Sequence, residues 1–167
     1  MLTKQKQLIM EMIAYDSGSP KRIQHFLKVY QFASLIAEAE GMNDADREIL
    51  ETAAILHDIG IRNALEKYGS EAGYLQEKEG PAEARILLDK VGGYTEEETE
   101  RILFLIAHHH TYTGVSGIDY RILIEADFLV NLYESESRYR AILAAEKNIF
   151  ETETGKKILH EMFGIES

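Results

Sequence analysis

Apolar residues recur every three to four positions along most of this chain, and almost nothing alternates with the two-residue period of a strand. That periodicity restricts the fold to packed helices. Only two prolines interrupt it, and each marks a helix start: Ser19-Pro20 reads as N-cap and first helical residue, and Pro81 opens a pattern after Gly80. Thr95, with Glu98 three residues on, forms a capping box ahead of Ile102, Leu103 and Leu105. Gly41 and Gly92-Gly93 read as helix stops. These signals predict helices over 3–15, 20–40, 44–59, 81–91, 96–110, 118–133, 136–148 and 153–163. The connection 60–80 reads as a long loop with room for a short helix, and the polar stretch Thr111 to Gly117 as a second loop. The expectation is an all-α, compact bundle of seven to eight helices forming one domain over 1–167. Its centre lies within 20–133, and the helices of 134–167 pack on that centre or form a dimer contact.

The 167 residues suffice for one substantial core. With no cysteine there is neither a disulfide nor a thiolate ligand or nucleophile. Any metal must therefore be held by His and carboxylate. The balance of 29 acidic against 18 basic residues, a net charge of −11, argues against duplex nucleic acid. It leaves room for a small anionic ligand, because a bound cation inverts the local potential. The apolar run Leu103 to Ala107 is short, and Leu123 to Leu132 is interrupted by Glu125, Asp127 and Asn131. Neither approaches the roughly 20 apolar residues of a membrane span. The N-terminal residues, including Lys4, Lys6 and Glu11, do not read as a signal peptide. The expected location is the cytoplasm.

Four polar residues fall on helical faces that otherwise read as buried. His25 shares a face with Val29, Phe32 and Ile36; His57 follows Ile49, Leu50, Ala53 and Ala54; Asp58 is next to it. Asp127 sits among Leu123, Ile124 and Val130. A lone inward histidine is commonly satisfied within a core, and a lone aspartate near a helix end is commonly a cap or an ion pair. Two buried carboxylates together are different, since each unpaired ion costs on the order of several kcal/mol. One divalent cation offsets both charges and uses both imidazole lone pairs.

Arg-x-x-His at 22–25, Ala-x-Leu-His-Asp-Ile-Gly at 54–60 and Glu-Ala-Asp at 125–127 stand in order on separate predicted helices. In this the chain resembles the HD superfamily of metal-dependent phosphohydrolases. The resemblance implies an all-α core whose metal ligands are His25, His57, Asp58 and Asp127. His109 and His110 resemble the paired histidines of two-metal members, which also carry a histidine where the helix after the His-Asp pair begins. No histidine lies between His57 and His108 here, and Glu79-Gly80-Pro81 occupies that place. One divalent ion (Mn, Fe, Co, Ni, Zn or Mg) is expected rather than two, with Glu79 an alternative oxygen ligand.

The expected activity is hydrolysis of a phosphate ester or anhydride of a small molecule, a nucleotide by preference. Asp58 would orient the attacking water, and His109 or His110 would protonate the leaving group. Arg22 would grip a phosphate oxygen, with Lys67, Tyr68 and Tyr112 near the pocket mouth. His108 suits the helix C-terminus, and His160 reads as a surface residue. The apolar stripe Ile142, Leu143, Phe150, Ile158 and Met162 suits packing or a homodimer. The competing expectation keeps the fold and drops the enzyme, giving a metal-stabilised nucleotide sensor or partner-binding module.

Overall fold

The structure, a computed structural model, describes residues 1–166. Among these residues there are nine α-helices and no strand: α1 Lys4–Tyr15, α2 Pro20–Ala39, α3 Asp44–Leu56, α4 Ile61–Tyr68, α5 Gly73–Val91, α6 Glu96–His108, α7 Ile118–Glu134, α8 Tyr139–Asn148 and α9 Glu153–Phe163. The chain is therefore all-α, with one helix more than the upper expectation. Its caps are largely those the sequence announces. Thr95 and Glu98 form the capping box, and Gly92 ends α5 with a positive φ of 78°. Ser19 stands at the N-cap of α2 with Pro20 behind it, yet its side chain makes no capping hydrogen bond.

The helix expected to open at Pro81 instead begins at Gly73 and runs through the proline. A proline inside a helix removes a backbone donor and is disfavoured by about 3 kcal/mol. Burial of Leu75, Ala84, Leu87 and Leu88 along the helix outweighs that penalty. The contact is backbone on backbone: a Cβ at Gly60 would lie 2.6 Å from both the Gln76 carbonyl oxygen and the Gly80 nitrogen. Two glycines thus let α5 press directly onto the turn that follows His57-Asp58. The same turn ends α3 at Leu56, three residues earlier than its periodicity suggested.

Helices α2, α3, α6 and α7 enclose the core. Phe26, Val29 and Ala33 of α2 are fully buried, as are Leu50 and Ala53 of α3, Leu105 of α6 and Leu123 and Ala126 of α7. Each large side chain of this kind contributes roughly 1.5–3 kcal/mol when buried. Helix α9 docks on α7 and α2. A buried carboxylate fixes it there: Glu125 accepts the Glu151 and Thr152 backbone N–H groups at 2.9 and 3.0 Å and the Thr152 hydroxyl at 2.6 Å. Among the described residues, no helix is long and apolar enough to cross a membrane.

Candidate metal centre

Three helices deliver the four residues to one point. His25 stands in the second turn of α2, His57 caps the C-terminus of α3 with Asp58 just beyond it, and Asp127 projects from the middle of α7. All four are buried. His25 Nε2 lies 3.0 Å from His57 Nε2, 3.1 Å from Asp127 Oδ1 and 3.1 Å from Asp58 Oδ2. His57 Nε2 is 3.3 Å from Asp127 Oδ1 and 3.4 Å from Asp58 Oδ2.

The hydrogen bonds on the far side of each ring fix what these nitrogens offer. His57 Nδ1–H donates to the Ala54 carbonyl at 2.7 Å, and His25 Nδ1–H donates to Glu134 Oε1 at 2.5 Å. Each neutral imidazole therefore turns a bare Nε2 lone pair inward. Two lone pairs 3.0 Å apart, beside two carboxylates, repel one another. Protonating both rings places two N–H groups in opposition across the same gap. A single cation satisfies all four atoms. Ligands about 2.1 Å from a first-row divalent ion stand roughly 3.0 to 3.4 Å from their neighbours, which is the spacing of these side chains. The residues fit a divalent metal.

Protons occupy that role when metal is absent. Burial would lower the pKa of both rings, but hydrogen bonds to Asp127 and Asp58 outweigh it and lift His25 to about 11. His57 rises to about 9 against the same burial, chiefly through the charge of Asp58. Burial likewise opposes ionisation of the two acids, yet the histidines hold Asp58 and Asp127 well below the usual carboxylate range.

Asp58 also reaches a second group. Its Oδ1 lies 3.1 Å from Nε2 of the fully buried His109, whose Nδ1–H donates to the Ile106 carbonyl at 2.7 Å. Asp58, His109 and His110 form a further cluster of close donors. His110 is oriented differently. The Gln76 amide donates to the Glu71 carbonyl at 2.6 Å, which turns Gln76 Oε1 toward His110 Nε2 at 2.8 Å. That nitrogen must therefore carry a proton, leaving Nδ1 to accept from the Tyr112 hydroxyl at 3.2 Å. Burial, and then the charge of His109, push the His110 pKa down to about 4, so the ring is neutral.

A cleft of about 390 Å³ opens over His25, Asp58 and His110, with Arg22 on its wall. A larger cavity, about 740 Å³ between α3 and α6, is rimmed by Asp46, Glu97 and Glu100 and holds none of these donors. Arg22 Nε donates to Asp16 Oδ1 at 3.3 Å, which leaves the terminal guanidinium nitrogens free to face the cleft. Lys67 and Tyr112 do not line it. Lys67 binds Glu79 at 2.6 Å, and the Tyr68 hydroxyl donates to the same carboxylate at 3.2 Å. Glu79 is thereby engaged away from the four-donor group, outside both donor clusters. Tyr112 rests edge-on against Phe128, ring centroids 5.3 Å apart. His108 stacks on Phe104 at 4.1 Å, and His160 pairs with Glu146.

Sequence reasoning missed Glu134 and Gln76. Glu134 lies two turns beyond Asp127 on the same face of α7, a spacing that is legible once Asp127 is placed. Gln76 carried no signal, because its segment read as loop.

The chain is thus an all-α bundle whose buried His and Asp cluster could hold a metal ion. Residues 22–145 match the HD domain family, and the chain belongs to it. No curated protein and no solved structure matches the chain.

Proposed function

We propose that this chain is a metal-dependent phosphohydrolase that cleaves a phosphate ester or anhydride of a small molecule, with one divalent ion per chain. The convergence of His25, His57, Asp58 and Asp127 beneath a cleft walled by Arg22 carries the reading. When bound there, a divalent cation supplies Lewis acidity to a phosphoryl oxygen and to the attacking water. The residues do the rest. Arg22 presents its free guanidinium edge to a phosphate oxygen, a geometry suited to bidentate contact. Asp58 divides its two oxygens between the four-donor group and His109, so it would orient the water and hand its proton to His109, which would return a proton to the leaving oxygen. His109 suits the proton-carrying role better than His110, whose Nε2–H is committed to Gln76. His110 acts as a neutral ring that shapes the cleft. The same commitment keeps His110 from serving as a ligand through Nε2, which favours one ion over two.

The test begins with protein purified without chelator and metal content measured by elemental analysis. Phosphate release is then followed across phosphomonoesters and nucleotides with Mn²⁺, Mg²⁺, Co²⁺ or Fe²⁺. Metal-dependent release is expected. Ligand-induced thermal stabilisation with no release under any metal would instead support the binding-module reading.

A further inference from the structure

The stripe of α7 that carries Asp127 continues outward as Asn131 and Ser135, at successive intervals of four residues. Both line the cleft, so they form a track leading from the metal donors toward the mouth. The facing wall is the start of α2. There Ser19 and Lys21 lead inward to Arg22 and His25, and Glu71 closes the third side. Among the described residues, the side chains of Ser19, Lys21, Glu71, Asn131 and Ser135 make no hydrogen bond or ion pair within the protein. These five polar side chains carry donors and acceptors that a ligand can engage in place of water.

Apolar material is scarce in the same cleft. Ile61 is its one aliphatic side chain, and among the described residues its rings are the hydrogen-bonded imidazoles of His25 and His110, with no Phe, Tyr or Trp in the lining. The nearby tyrosines are used elsewhere: Tyr112 packs on Phe128 and bonds to His110, and Tyr68 lies under Lys78 and bonds to Glu79. Small-molecule pockets are ordinarily walled by apolar and aromatic groups. Stacking of a base on an aromatic ring is worth about 1–3 kcal/mol. A nucleobase here would find no Phe, Tyr or Trp face and would displace water from polar side chains. A chain of hydroxyl groups, each both donor and acceptor, matches the wall instead.

We infer that the cleft takes a polyhydroxylated, non-aromatic phosphomonoester, a sugar or polyol phosphate. Its phosphate lies against the four-donor group and Arg22, and its hydroxyls run along Asn131, Ser135 and Ser19. The inference rests on the phosphohydrolase reading and narrows it away from the nucleotide that the family resemblance suggested.

The experiment compares kcat/KM of the Mn²⁺-loaded protein for sugar and polyol monophosphates, nucleoside monophosphates and p-nitrophenyl phosphate. At least a tenfold preference for the sugar or polyol class over nucleotides is expected. The variant Asn131→Leu should lower kcat/KM for that class by more than it lowers p-nitrophenyl phosphate hydrolysis, and Ser135→Ala should act in the same direction. Preference for nucleotides overturns the inference while leaving the phosphohydrolase reading intact. Thermal stabilisation by sugar phosphates with no phosphate release from any compound supports the ligand class and removes the enzyme. Neither stabilisation nor release from any compound overturns both.

Discussion

Two groups of histidines meet at Asp58, and they are built by different rules. In the first, His25 and His57 each spend Nδ1–H on an outward acceptor and turn Nε2 toward two carboxylates. In the second, His109 follows the same rule through Ile106, but His110 reverses it because Gln76 Oε1 claims the proton on Nε2. Residue type and proximity are alike in the two places. The partner on the far side of the ring decides whether a histidine is ready to bind a cation.

Removing the atom pair common to both groups has the largest expected effect. Asp58→Ala deletes a carboxylate shared by the metal donors and by His109. We expect loss of bound metal and a fall in turnover on the order of 10³-fold or more. Full phosphatase activity in the purified variant contradicts the mechanism. The reversed orientation of His110 is the next point of attack. Gln76→His removes the amide oxygen that holds the Nε2 proton and adds a donor beside Asp58, His109 and His110. Metal content should rise from about one ion per chain toward two, read by elemental analysis after dialysis against Mn²⁺. A wild-type protein that already binds two ions breaks the contrast between the groups. A milder change acts from behind the first group. Glu134→Gln weakens the acceptor that orients His25, and loss of such an outer partner typically reduces metal affinity 10–100-fold. Unchanged affinity by titration calorimetry shows that Glu134 serves Lys28 alone, its other partner at 3.2 Å.

The difference between the groups also explains what the sequence discloses. The four-donor group is legible because buried carboxylates and imidazoles at fixed helical offsets are conspicuous among Val, Ile, Leu and Ala. The all-α class is legible from period and caps, which Thr95, Glu98 and Gly92 satisfy locally. The start of α5 is not. Its first turns contain Gly73, Gly80 and Pro81, poor helix formers in a segment placed by backbone contact of Gln76 and Gly80 with Gly60 and of Gly73 with the His110 ring. A tertiary contact between two backbones leaves no periodic trace. Gln76 lies in that same stretch, so the residue that sets the His110 proton was hidden with it. Loop position alone places Lys67 and Tyr112 near the pocket mouth; the structure pairs Lys67 with Glu79 and sets Tyr112 against Phe128 and His110.

The smallest predicted effect concerns pH. In metal-free protein His25 and His57 have pKa values raised to about 11 and about 9, against about 6.5 in an unfolded chain. Between those values the folded state binds more protons than the unfolded one, so this stabilisation is complete below about pH 6.5 and declines as pH rises through 9. Asp58 and Asp127, held low by the same histidines, contribute in the opposite sense: their stabilisation is present above the usual carboxylate pKa and is lost as pH falls. The metal-free domain should therefore be most stable between about pH 4 and 6.5. Its melting temperature should drop by a few degrees from pH 6 to pH 8. A metal competes for the same lone pairs, so its binding releases protons and tightens as pH rises. In excess Mn²⁺ the slope from pH 6 to pH 8 should flatten or reverse. Scanning calorimetry with chelator and with Mn²⁺ reads both slopes on one protein. Parallel slopes mean that the cation does not replace the protons shared by His25, His57 and the two aspartates, and the difference between the two histidine groups then loses its physical basis.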